Sequence, residues 1–338
     1  MSVQDGSQAA ARVHGIARSG HCAATVATGA ASAATQNQPE GAGNFEAPGE
    51  AGLVSVARAS LPPLRRARPV AQRPPRSAPF QEWNAESGLP SAQFFHLKRG
   101  FLLRFPHIAD FIVDTTGARV RCIPVPGTGE RWRAIHEQQV VPLLLGLHGA
   151  HVFHGGAVVV DGRAVAFLAP SGHGKSTLTA AFARRGFAFL TDDCLVLDLH
   201  GSAPLALPHE AHVRLWEDSV AVMGGTTAVD RRGSSKPRLA AGNGLAHEDQ
   251  ARTLAAIYLL GPGEAERPVV TPLPASQALV GLASNAFVLD ITRREVLHRN
   301  LQVHARLVHQ VQVRRLDYPR RYELLDDVVA AVLADLPG

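Results

Sequence analysis

The sequence predicts an α/β protein in which a phosphate-loop domain follows a small β-rich module and an unstructured N-terminal tail. Three observations carry that prediction. The segment Ala169-Pro170-Ser171-Gly172-His173-Gly174-Lys175-Ser176-Thr177 lies between an apolar, strand-like run and a stretch free of Gly and Pro. Short runs of aromatic and β-branched residues, punctuated by Gly, Pro and Asp, fill residues 94–125. Residues 1–80 hold eight Arg, no Lys, four acidic residues and 8 of the 23 prolines, a composition unlike the rest.

That composition locates the charge. The chain has 338 residues, a net charge of +5 and 46% hydrophobic residues. Such hydrophobicity excludes full disorder, and no run approaches about 18 consecutive apolar residues, so no spanning helix is expected. Residues 1–80 account for +4 of the charge and the other 258 residues for +1. The folded part is therefore nearly neutral, and neither nucleic acid nor a membrane is an expected partner. Cys22, Cys122 and Cys194 are odd in number and widely spaced, without a metal-ligand pattern. With no Leu-rich signal segment at the N-terminus, they predict a cytoplasmic protein.

The elements follow in order. Residues 1–80 form the tail; its Pro62-Pro63 to Arg76 stretch is barred from helices and inner strands by its prolines. Order is expected from near Trp83, and residues 81–147 form the β-rich module. It holds strand-like runs at Phe94–Leu97, Gly100–Phe105, Asp110–Asp114 and Ala118–Val125, then a helix over Glu137–Leu147 with a kink at Pro142. Residues 148–338 form the phosphate-loop domain. Gly156–Val160, Asp161-Gly162 and Ala164–Leu168 read as a hairpin. Ser176–Arg185 reads as a helix, stopped by Gly186. Strands are expected at Phe187–Leu190, Leu195–Leu199 and Ala255–Leu260, and helices at Ser276–Leu282 and Asp326–Leu336.

The loop after Leu168 carries the chemistry. Its glycines let successive backbone N–H groups turn inward on an anion, and the helix N-terminus adds partial positive charge. Ser171, Gly172, His173, Gly174, Lys175, Ser176 and Thr177 are the expected phosphate-binding residues; His173 contributes through its backbone. Lys175 brings an ammonium to the outer phosphates, and Ser176 a hydroxyl to Mg²⁺. The phosphate-loop consensus has Gly where this chain has Ala169. The chain has only three Lys, at 98, 175 and 236, and one falls on the required position.

Asp192-Asp193 lies 17 residues beyond Lys175, at the end of the next expected strand, where open α/β sheets place their sites. One carboxylate can hold Mg²⁺ and the other can accept a proton from an attacking hydroxyl. An NKxD base-reading motif and an LSGGQ-like segment are both missing, which speaks against a GTPase and a transporter ATPase. A compact phosphotransferase fits best.

Three segments resemble the HPr kinase/phosphorylase superfamily, whose catalytic domain has the phosphoenolpyruvate-carboxykinase-like fold. They are His154–Gly162, Pro170–Thr177 and Gly186–Leu190 with Thr191-Asp192-Asp193. Pro208–Trp216 and Leu316–Arg320 are similar, more loosely, to HPr-kinase-like serine kinases encoded beside peptide-modification genes. The resemblance implies Asp192 as general base, His154 as its support and Asp193 with Ser176 as magnesium ligands. It also implies Lys175 on the β- and γ-phosphates, with Glu210 and Arg214 as a further metal ligand and cation, and Lys236 as a second cation in a loop. The family's glutamate–arginine–glycine segment for docking HPr is not recognisable after the acid pair, so HPr itself is not the expected acceptor.

Together these readings predict a kinase that uses ATP and Mg²⁺ to phosphorylate a serine of a small protein or peptide, a ribosomally made precursor peptide included. A small-molecule kinase on the same scaffold and a nucleotide-sensing module without transfer are the alternatives. A homo-oligomer is compatible with the sequence.

Overall fold

The computed structural model of the protein describes residues 61–85, 87–215, 217–222, 237–242 and 244–336. Among these, two large sheets and seven α-helices make a mixed α/β architecture.

The first sheet has six strands: β1 (Leu64–Arg66), β2 (Gln81–Asn84), β3 (Pro90–Leu97), β4 (Gly100–Phe105), β5 (Ala109–Val113) and β6 (Val120–Pro124). β2 to β6 form an antiparallel meander. Alternating side chains bury one face, with Trp83, Phe94, Leu103 and Phe111 each at most 2% exposed. β1 corrects the expectation of an unstructured tail through residue 80. It lies parallel to β6 at the sheet edge, and Ala67 and Val70 extend the pairing through backbone bonds to Cys122 and Pro124. The prolines permit this because an edge strand leaves half of its N–H groups unused; Pro62, Pro63 and Pro69 all fall outside the three paired residues. Residues 1–60 lie outside the described chain.

The helix expected from Glu137 begins earlier. α1 (Arg131–Ile135) runs through a π-helical turn, His136–Val140, into α2 (Val141–Leu147). Pro142 lacks an N–H and its ring would crowd the carbonyl four residues back; the wide turn just before it relieves that clash.

The second sheet begins with β7 (His151–Phe153), β8 (Gly155–Val160) and β9 (Arg163–Leu168). The β8–β9 turn has Asp161 at φ 49° and Gly162 at φ 74°, the doubly left-handed turn that matches strand twist. α3 (Lys175–Arg184) follows, then β10 (Phe189–Thr191), β11 (Leu195–Asp198) and β12 (Leu205–Leu207). β13 (His212–Arg214) pairs with β14 (Arg238–Ala240) as a separate ribbon, with α4 (Glu217–Val222) between them in sequence. Last come β15 (Arg252–Leu260), β16 (Val269–Pro272), α5 (Ala275–Asn285), α6 (Arg294–Gln310), β17 (Gln312–Asp317) and α7 (Leu325–Asp335).

β15 is the pivot. Its first residues pair with β12, which leads on to β11 and β7, while its later ones lie parallel to both β9 and β17. β8 and β10 continue beyond β9, and β10 runs antiparallel to β8, so it points the same way as β9. The C-terminal ends of β9, β10, β15 and β17 therefore share one edge, where such sheets collect their functional loops.

Candidate active site

Three of those four strand ends, β9, β10 and β17, deliver a segment to one cleft, while the end of β15 lines the neighbouring groove. β9 delivers Ala169–Gly174. Gly174 sits at the N-cap of α3 with φ 85°, and a Cβ there would come within 3.1 Å of the Tyr318 hydroxyl. Only glycine meets both demands. Ala169, at the consensus glycine position, is not among the residues with positive φ, so alanine fits without strain. Its carbonyl and that of Pro170 accept hydrogen bonds from Lys175 Nζ at 2.8 and 2.9 Å, holding a buried ammonium across the mouth of the loop.

β10 delivers the acid pair. Asp193 adopts φ 67°, a left-handed conformation rare outside glycine and tolerated by Asp. The turn sends the two carboxylates apart: Asp193 lines the cleft, while Asp192 is 5% exposed behind it. Asp192 Oδ2 accepts a hydrogen bond from Arg214 N at 2.8 Å, and Oδ1 is buried with no hydrogen-bond partner. Burial, then the charge of Asp193, pushes the Asp192 carboxyl up to about 6, against the hydrogen bond from Arg214 N. Gly156 lies beneath; a Cβ there would come 2.6 Å from Thr179 Oγ1 and 3.6 Å from Asp192 Oδ1.

The β13–β14 ribbon brings Arg214 across the pair. This buried guanidinium reaches Asp193 Oδ2 at 3.2 Å and Glu210 Oε2 at 3.1 Å. Burial would raise the Glu210 carboxyl, but the His212 hydrogen bond with the charges of His212 and Arg214 holds it down to about 2. Glu210 thus faces Arg214 and His212, an ion-paired carboxylate. His154 Nδ1 lies 3.2 Å from the backbone carbonyl of Asp193, with its ring edge against Phe287. Its contact is with the turn that carries the acid pair. His173 lines a neighbouring groove with Pro170 and Val280, on the other side of the loop. Lys236 and Trp216 lie outside the described residues.

The cleft, about 190 Å³, gathers Ser171, Gly172, Gly174, Lys175, Ser176 and Thr177 with Asp193 and Arg214. β17 and α4 add residues that sequence reasoning missed: Tyr318, Arg320, Arg321, Ser219 and Tyr322. Arg320 stacks on the Tyr318 ring at 4.0 Å, and Ser219 Oγ lies 2.9 Å from Tyr322 Oη. For Tyr318 and Arg320 the loose family resemblance of Leu316–Arg320 is the sequence signal; Arg321, Ser219 and Tyr322 have none. The two described cysteines are buried, and burial pushes the Cys122 thiol up to about 12 and Cys194 higher still, which disfavours the thiolate.

Mg²⁺ takes oxygen ligands, usually one or two carboxylates beside phosphates and water. The donors here fit it. Ser176 and Asp193 present oxygens on the cleft, and the orphaned buried Oδ1 of Asp192 is an acceptor that a cation or proton would satisfy.

No known family profile and no curated protein matches the chain. Among solved structures it is similar to the Hpr(Ser) kinase/phosphatase from Coxiella burnetii, with a TM-score of 0.30 and 12% identity over 54% of this chain and 94% of that one. No helix of the described residues is long and apolar enough to cross a membrane.

Proposed function

We propose that the protein is an ATP- and Mg²⁺-dependent kinase that transfers the γ-phosphate to a serine hydroxyl of a small protein or peptide. The observation that supports this most is the meeting of a glycine-capped helix N-terminus and buried lysine with Asp193 at one cleft, and with Asp192 buried next to it. An anion cradle beside unequal acids is the equipment of phosphoryl transfer.

In this reading the backbone of Ser171–Thr177 holds the nucleotide phosphates. Lys175 and Arg214 set positive charge against the outer ones. Ser176 and Asp193 would hold Mg²⁺, which supplies charge neutralisation between phosphate oxygens. The serine oxygen attacks the γ-phosphorus; its new O–P bond forms as the bond to the ADP oxygen breaks, and the hydroxyl proton passes to Asp192. Its raised affinity for a proton suits that role near neutral pH. His154 steadies the Asp193 backbone, and so the turn between the acids.

Asp192→Asn should leave ATP affinity within about twofold of wild type and lower transfer by about 10³-fold or more. Lys175→Ala should weaken ATP binding itself. Radiolabelled ATP with serine-containing peptides, and calorimetry for nucleotide, read both. Unchanged turnover in Asp192→Asn would remove it as the base; transfer to free serine but to no peptide would turn the reading toward a small-molecule kinase.

A further inference from the structure

Among the described residues, a second cavity stands apart from the phosphate-loop cleft and has a different chemistry. It lies between the end of α2, His151 at the start of β7, the segment Ala286–Asp290 and one side of α6, and encloses about 500 Å³, in the range of small-ligand sites.

Its lining is cationic. Arg293, Arg299 and Arg306 all line it, against Asp290 as the one acidic lining residue. None of the three guanidiniums has an ion-pair partner among the described residues. Asp290 brings one negative charge against three positive ones, and its Oδ1 is turned to Thr292, accepting from Thr292 N at 3.0 Å and Thr292 Oγ1 at 2.6 Å. One wall is imidazole. His304 is 3% exposed, lines the cavity, and its Nδ1 is buried with no hydrogen-bond partner. His151 and His200 stand beside it, with His200 Nδ1 held by Asp198 Oδ1 at 3.0 Å.

Buried polar atoms in native proteins are nearly always paired, and an exception calls for a partner the protein meets elsewhere. The three guanidiniums are exposed at the rim of this wall, where their forks match anionic oxygens in geometry and charge. The surrounding charge tells the same story. Burial, then His200 and Arg306, holds His151 down to about 4, and burial with His151 does so for His304. For His151 the permanent charge of Arg306 adds to burial, and that charge favours an anion.

We propose that this cavity binds a small polyanion, a metabolite carrying two or more carboxylate or phosphate groups. More than one group is required because a single carboxylate satisfies one guanidinium fork. Arg299 and Arg306 also stand two helical turns apart on α6, about 10 Å along its axis. A macromolecule would need an open surface in place of an enclosed wall of His304 and Phe287.

Calorimetry on the full chain tests this with two probes, citrate and inorganic pyrophosphate, which separate a carboxylate from a phosphate ligand. In Lys175→Ala, whose phosphate loop is disabled, at least one should bind with 1:1 stoichiometry. Arg299→Gln with Arg306→Gln should weaken that binding at least about tenfold, as two charge-assisted contacts are removed. Both are exposed side chains, so melting without anion should not change. His304→Gln, which retains a side-chain donor and acceptor, gives a second readout through loss of affinity at a buried contact. Lys175→Ala should leave the site intact, which separates it from the phosphate loop. No binding of either probe, or binding lost in Lys175→Ala and kept in the arginine pair, would overturn the proposal.

Discussion

The Asp192 carboxyl is desolvated, faces the Asp193 charge, and holds its proton more tightly than a free aspartate does. That has a consequence for stability. Its pKa rises from the ordinary 3.8 to about 6 in the fold, so between these values the folded state binds more protons than the unfolded. Stability contributed by the neutral form is complete below about 4 and is lost as pH rises through 6. Asn in its place cannot ionise. In metal-free buffer, Asp192→Asn should therefore be more stable than wild type at pH 8, by about 3 kcal/mol, and close to it at pH 4. Thermal melts at the two pH values read the difference. A variant less stable at pH 8 than wild type would show that Asp192 is ionised without cost. Asp193 contrasts with it only through geometry: one left-handed residue sends one carboxylate to Arg214 and the cleft, and keeps its neighbour behind.

At the scale of elements, the site depends on how closely β8 and α3 approach. Gly156 is where they meet, and a methyl there would lie 2.6 Å from Thr179 Oγ1, inside contact distance. Gly156→Ala must push α3 from the sheet or move β10. It should cost about 1 to 3 kcal/mol, as overpacking does, and lower phosphate transfer by an order of magnitude or more because the phosphate loop shifts with its helix. Denaturant melts together with transfer assays check this; full activity would mean the helix can ride outward freely. The local elements were legible in the sequence for local reasons. Asp161-Gly162 specified its turn, Lys175 and the glycines specified the helix start, and Gly186 specified its end at φ 88°. α6 was missed. Its seventeen residues bury only Val303, His304 and Leu307, so the apolar stripe is too thin to read through Arg and His on its other faces.

At the scale of the molecule, the β-rich module does not keep a core of its own. Trp83, Phe94, Leu103 and Phe111 share one apolar cluster with Val196 and Leu207 of the second sheet and with Cys194, Phe287 and Leu289 from segments beside it. Phe287 joins both sides: its ring meets Trp83 edge-on at 6.4 Å and His154 at 6.0 Å. Phe287→Ala should destabilise the whole chain by about 3 to 5 kcal/mol. Urea unfolding followed by tryptophan fluorescence and by far-UV circular dichroism should give coincident transitions in wild type and variant. Two separate transitions would show that the sheets unfold independently. Phe287 also lines the cationic cavity, so that cavity, the shared core and the His154 contact meet on one segment.

By itself, the sequence determined the phosphate loop, its helix, the hairpin before it and the acid pair after the next strand. Each depends on residues within a few positions of one another, where backbone sterics decide. It also located the excess charge in residues 1–80. Only the tertiary structure decided what stands around the loop. Parallel pairing of β9, β15 and β17 brings Tyr318, Arg320 and Arg321 to a lysine well over a hundred residues earlier, and the β13–β14 ribbon lays Arg214 over Asp193. It also decided that Leu64–Arg66 is an edge strand, which no local rule could show because its partner is β6. Parallel strands and long-range ion pairs are set by burial shared across the whole chain, and such pairings leave little trace in the spacing of neighbouring residues.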